Sequence, residues 1–303
     1  MRLIHGPVVD AADPFDDGGE TAELPSGAVV GSEVLRLAGP ERLVPAPGSG
    51  LRGWWDRWSG VLRHCGVPLV AVAALTAGPV QLFASKVSDL LFAAPLLSDE
   101  LAGSSRWLLP AMWLAYLAMA ALPVVLCLAV VVAVVVGWAA EGRRPGPGGV
   151  ARLVGHRAGL LWVWFALSGA VSQLLPLVTD DPRATPRLAV ALSAALAVAS
   201  TALTLVMGLL GGVVLFERGN GPRRVRRLLA ALPAPSLIPL VAASAALAVL
   251  PSAADAAFGT PVSAAVAVGC AVLWSVTSLI TYAQARRAEG PVTSALLAAE
   301  LAW

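Results

Sequence analysis

Two pairs of neighbouring acids, Asp99-Glu100 and Asp180-Asp181, are the first residues in this chain whose types could do chemistry. A metal site or a general acid-base pair needs further groups converging on the same point, such as an imidazole, a thiolate or a nucleophile. Neither pair has such company in sequence, and TDDPRATPR reads as a solvated turn carrying its own arginines, Arg183 and Arg187. Cys65, Cys127 and Cys270 are as scattered as His5, His64 and His156, with no zinc spacing and no disulfide framework. Phosphate-loop, zinc-protease, nucleophile-elbow and dinucleotide signatures are all missing from the sequence. No metal or cofactor is expected, and no enzyme activity.

Three glutamates stand out instead. Glu141 lies in AAEGRRPGPGGVARLV, Glu217 in LFERGNGPRRVRRLLAAL with Gly219 and Gly221, and Glu289 in ARRAEGPVTSALLAAEL with Gly290. Their spacings are 76 and 72 residues, a near-constant period that points to internal duplication. A carboxylate beside arginines, with no second acid or nucleophile, pairs with a guanidinium or tops the following turn. The expectation is a structural motif at the ends of helices.

The elements that carry these residues are set by composition. Of 303 residues, 57% are hydrophobic and only 13% charged, and mean hydropathy is +0.77, the profile of a membrane protein. Helical spans of about 20 apolar residues are predicted at 66–85, 111–140, 159–179, 188–216, 235–254 and 261–284. The run from 107 to 140 is too long for one upright span, and reads as a single tilted helix with Pro123 inside it. No Asp, Glu, Lys, Arg or His falls within the six spans, which argues against a proton-coupled pump. Gly208 and Gly212 predict a close helix crossing.

Four basic residues fall on one side of this topology and seventeen on the other. The positive-inside rule then places both termini in the cytoplasm. The single lysine among many arginines fits a GC-rich bacterial genome, so the expected location is a bacterial cytoplasmic membrane. Residues 1–50, with eight acids against three bases, read as a disordered acidic cytoplasmic tail without signal-peptide character, and 51–303 as the membrane domain.

Short amphipathic helices are expected before the odd-numbered spans. In PRRVRRLLAALP, Val225, Leu228, Leu229 and Leu232 share one face, and Arg223, Arg224, Arg226 and Arg227 occupy the rest. GLRGWWDRWSGVLRHCG places Trp54, Trp55, Trp58, Val61 and Leu62 on one face and arginines on the other; 149–158 does so weakly, and 291–302 reads as an unfinished fourth helix. The predicted fold is therefore all-α, with six transmembrane helices in three tandem hairpins, each preceded by an interfacial helix lying at the headgroups. The arginines either fix topology by snorkelling or recognise an anionic lipid or partner.

VLFERGNGPRRVRRLL and TYAQARRAEGPVTSALLAAEL, with the six-span pattern, resemble a group of bacterial integral membrane proteins. The group includes the membrane domain attached to some glycerophosphodiester phosphodiesterases and stand-alone six-helix proteins of undetermined function. The resemblance implies an acid and glycine ending an even-numbered span, a basic amphipathic helix after it, and a Tyr-x-x-x-Arg phrase closing the last span, here Tyr282 to Arg286. The aromatic residue expected after the basic cluster is replaced by Leu228 and Leu229, and no catalytic barrel is present. The functional expectation is a non-catalytic scaffold or accessory subunit. Its basic face would contact anionic membrane lipids or a cytoplasmic partner, in a homo-oligomer or membrane complex and without nucleic acid. The alternative is a permease for a neutral or hydrophobic solute, with Gln173 or Ser278 on its path.

Overall fold

The structure, a computed structural model, describes residues 41–46, 48–93, 108–142, 148, 158–170, 186–217, 221–232 and 234–302. Among the described residues there is no strand. The helices are α1 (Gly50–Ala93), α2 (Leu108–Glu141), α3 (Ala158–Ala170), α4 (Pro186–Phe216), α5 (Gly221–Ala231), α6 (Ala234–Phe258), α7 (Thr260–Glu289) and α8 (Ser294–Ala302). Five of them, α1, α2, α4, α6 and α7, are long and apolar enough to cross a membrane. Helix α3 is apolar but shorter, and the remainder of the third expected span lies outside the described residues.

One boundary differs from the sequence reading. The expected interfacial helix at 50–66 and the span after it form one continuous 44-residue helix, α1, which runs through Pro68 and Pro79. Trp54, Val61, Cys65, Leu69, Ala73 and Ala77 are all buried and recur at helical spacing, so one packing stripe crosses the expected junction without a break. The compact helical unit runs from Glu41, with Leu43 and Val44 fully buried in it.

Helix α2 is a single helix of 34 residues with Pro123 inside. Its valine-rich run is apolar all round and buried from Cys127 to Val136, which makes it a central strut of the bundle. The other strut is α7, buried through most of Ala271 to Ala283. Trp54 of α1 lies by Thr281 and Trp58 by Thr277, so α1 runs antiparallel to α7. Gly208 of α4 faces Trp274 and Ser278, and Gly212 faces Tyr282, so α4 runs parallel to α7. A Cβ at Gly208 would lie 2.5 Å from Ser278 Oγ, and one at Gly212 would lie 2.5 Å from the Tyr282 ring. The close crossing expected from the glycine spacing is therefore made against α7. Gly259, at φ 83°, turns the chain from α6 into α7, and Ser263 Oγ ties back to the Pro251 carbonyl at 2.8 Å.

The start of α1, the ends of α2, α4 and α7, and all of α5 and α8 thus gather at one end of the bundle, the end that carries Arg42, Arg224 and Arg286.

Candidate functional site

Apolar helices deliver a set of ionic side chains to this basic end. Glu217 follows the last turn of α4, where its amide still donates to the Val213 carbonyl at 2.8 Å. Helix α5 then turns back over it, with Val225 and Leu228 buried against the bundle. That packing presents Arg224 to two carboxylates at once. Its Nε donates to Glu217 at 2.6 Å, and its two terminal nitrogens reach the two oxygens of Glu289 at 3.0 and 2.6 Å. The Glu217 hydrogen bond, opposed by partial desolvation and reinforced by Glu289, raises the Arg224 guanidinium above its ordinary range. A raised basic group contributes its stability below its unfolded value and loses it only as pH climbs through the folded one. Arg224 therefore stays charged, and its contribution intact, at any pH near neutrality.

The second branch runs along α7. Tyr282 Oη donates to Glu217 at 2.9 Å, and Arg286 Nη1 donates to the same hydroxyl at 3.3 Å. Arg286 also grips Glu300 of α8 through both terminal nitrogens, at 2.8 and 3.1 Å. Its Nε lies 3.7 Å from Glu217. Four helix ends are joined by one connected set of charge-assisted bonds, a forked geometry that arginine can make and lysine cannot. Side-chain exposures of 16–30% place these pairs in partial shelter, where they are worth more than open surface pairs. Glu41 adds a further tie, accepting from the Ser294 hydroxyl at 2.7 Å and the Ser294 amide at 3.2 Å at the start of α8.

Tyr282 is fully buried, with one ring face stacked on Phe216 at 5.3 Å. A Tyr282→Phe variant keeps that packing and loses only the hydroxyl. The expected loss is about 1–2 kcal/mol, read as a lower unfolding temperature in detergent at constant pH. An unchanged transition would remove Tyr282 from the network.

The sequence-predicted residues divide clearly. Glu217 and Glu289 meet through Arg224, whereas Glu141 is exposed at the end of α2 and followed by Gly142 at φ 72°. Gly221 opens α5, where a Cβ would lie 2.8 Å from Leu210; Gly290 caps α7 through its amide to the Arg286 carbonyl at 3.2 Å. Gly219 lies outside the described residues. Arg223, Arg226 and Arg227 are exposed, while Arg224 is turned inward.

The tryptophans split in the same way. Trp54 is buried and directs its Nε1 to Thr281 at 3.4 Å, so it belongs to the helix interface rather than to an outer surface. Trp58, part-buried, donates to Thr277 at 3.2 Å, and Trp55 is 55% exposed. The polar face expected on the last span is also internal: Trp274 Nε1 bonds to Ser244 at 3.2 Å, and the Ser278 hydroxyl is buried against Gly208.

Tyr282 and Arg286 were visible only as a phrase implied by the resemblance, and Glu300 and Glu41 had no local signal. A tyrosine and an arginine four residues apart, at the close of an apolar helix and just before Glu289, was the available clue.

A separate cavity of about 350 Å³ lies away from this network, lined by apolar side chains with Gln81, Tyr116, Ser168, Ser200 and Thr204 among them. Two of its hydroxyls are spent on their own helices, Ser168 on the Phe165 carbonyl at 3.0 Å and Thr204 on the Ser200 carbonyl at 2.8 Å. Ser278 does not line it, and Gln173 lies outside the described residues. Among the described residues no group of three or more His, Cys, Asp or Glu side chains could hold a metal ion. No protein-family profile matches the chain, and neither does any curated protein or solved structure.

Proposed function

We propose that this chain is a non-catalytic scaffold or accessory subunit of a bacterial cytoplasmic membrane, with both termini cytoplasmic and a basic inner face that contacts anionic lipid. The reading takes the third apolar segment as a sixth span, completing three tandem hairpins. The observation that carries it is the division of labour on α5. Val225 and Leu228 anchor the helix to the bundle and Arg224 locks it to α4 and α7, while Arg223, Arg226 and Arg227 stay exposed. A basic surface held this firmly is suited to a charged membrane plane, with each arginine adding about 1 kcal/mol of attraction. The membrane-domain resemblance of the inner phrases supports the same architecture.

Changing Arg223, Arg226 and Arg227 together to Gln is expected to lower the anionic phospholipid retained through purification by on the order of tenfold or more, without moving the unfolding temperature. The check is mass spectrometry of protein and bound lipid after crosslinking in native membranes. A retained cytoplasmic protein lost in the variant would transfer the surface to a partner, and robust turnover by the pure protein would overturn the non-catalytic reading.

The cavity favours a second reading, a permease for a neutral or apolar solute, since its walls are mostly apolar and two hydroxyls are already bonded within their helices. Solute flux into liposomes that disappears on changing Ser200 or Thr204 to a bulkier residue would favour this alternative.

A further inference from the structure

A second basic recess opens between the first turns of α1 and the last turn of α2, with a volume of about 390 Å³. Arg42 spans one wall, its guanidinium 5.6 Å from the centre of the Trp138 ring and donating one bond to the Trp138 carbonyl at 3.4 Å. His64 stacks on the same indole with ring centroids 5.1 Å apart. Arg57 completes the basic lining, and among the described residues it makes no ion pair or hydrogen bond. Asp56 is the one acid on the wall.

The backbone is shaped to admit Arg42. Gly142 has φ 72°, a conformation that favours glycine, and a Cβ there would lie 2.8 Å from Arg42 Nη1. The guanidinium thus rests over a gap that only glycine leaves open. Trp138 lies in the closing turns of an apolar helix, the level at which indoles meet the headgroup layer.

We propose that this recess holds the headgroup of one anionic phospholipid, a phosphodiester carrying a hydroxyl-bearing head of the glycerol type. The inference rests on the reading that this end of the bundle faces an anionic leaflet. Among the described residues that line it, two guanidiniums and His64 stand against one carboxylate, a basic balance that suits the negative charge of a phosphodiester. Arg57 and the remaining donors of Arg42 bind the phosphate oxygens, as guanidinium groups do well. The Asp56 carboxylate accepts from a headgroup hydroxyl, which a choline head cannot supply.

The test uses the full chain in detergent, titrated with phosphatidylglycerol or phosphatidylcholine of the same acyl chains and followed by native mass spectrometry. Wild type is expected to retain one phosphatidylglycerol preferentially. Arg42→Gln with Arg57→Gln lowers that retention by on the order of tenfold. Gly142→Ala lowers it in the same direction with no change in charge, because the new Cβ displaces the Arg42 guanidinium. Arg187→Gln, at the start of α4 and so at the opposite end of the bundle, removes a cation elsewhere and leaves this lipid bound. Loss in the α5 triple variant with full retention in both recess variants overturns the inference while leaving the proposed function standing. Retention in all variants overturns both. Displacement of the bound lipid by millimolar glycerol 3-phosphate would show a free phosphate ester as the ligand and also overturn the lipid assignment. Should Gly142→Ala fail to fold, the paired arginine variant decides alone.

Discussion

Replacing Gly212 with valine is expected to destabilise the folded bundle by roughly 3 kcal/mol, the largest single-residue effect foreseen here. The added Cβ would lie 2.5 and 2.6 Å from two carbons of the Tyr282 ring and 3.1 Å from its Cβ. The ring has nowhere to go: its hydroxyl is held by Glu217 at 2.9 Å and it stacks on Phe216 at 5.3 Å. Relief therefore requires α4 and α7 to separate, which also opens the ion network at their ends. The comparison is Gly269→Ala on helix α7, where a Cβ meets nothing within 4 Å. Thermal unfolding in detergent should show a large drop for Gly212→Val and no drop for Gly269→Ala, since alanine is the better helix former. Equal behaviour would mean that α4 and α7 do not cross as closely as described.

The second large effect is expected at Glu217. Glu217→Gln removes the carboxylate shared by Arg224, Tyr282 and Arg286, while Glu289 and Glu300 keep their own arginines. Breaking a sheltered ion pair from one side leaves desolvated charge behind, and the expected loss is roughly 2–3 kcal/mol. A cycle with Arg224→Gln separates the pair from the rest of the network. The double variant should be less destabilised than the sum of the two singles, because losing the Glu217 carboxylate no longer strands a guanidinium on α5. Strict additivity would show that the two residues act independently.

The membrane character of the chain was legible because it is a bulk property. Long runs without charge, with arginines only at their ends, force apolar helices whatever the packing. The close approach of α4 to α7 was legible too, since Gly208 and Gly212 fall on one face and nothing larger fits there. The unbroken course of α1 was harder to foresee: the chemistry changes from amphipathic to apolar near residue 66, while the packing stripe from Trp54 to Ala77 does not change. Local polarity and tertiary packing disagreed, and packing set the helix.

At the basic end, sequence spacing identified Glu217 and Glu289 as related but could not say that one arginine joins them. Arg223, Arg224, Arg226 and Arg227 are equivalent as letters, and only the angle at which α5 lies on the bundle turns Arg224 inward. Glu41 and Glu300 were invisible for the same reason, being brought to α8 and α7 by the fold from 253 and 14 residues away. Trp54 shows the converse error: an amphipathic wheel marks its face as apolar but does not distinguish a lipid from a neighbouring helix.

The claim that the basic end lies on an anionic membrane plane is tested most directly from Ala230, exposed one helical turn beyond Arg226 and Arg227. A photo-crosslinking side chain placed there, activated in native membranes, reports what α5 touches through the mass of the adduct. An adduct with an anionic phospholipid is expected. Adducts with water or a zwitterionic lipid alone would contradict it.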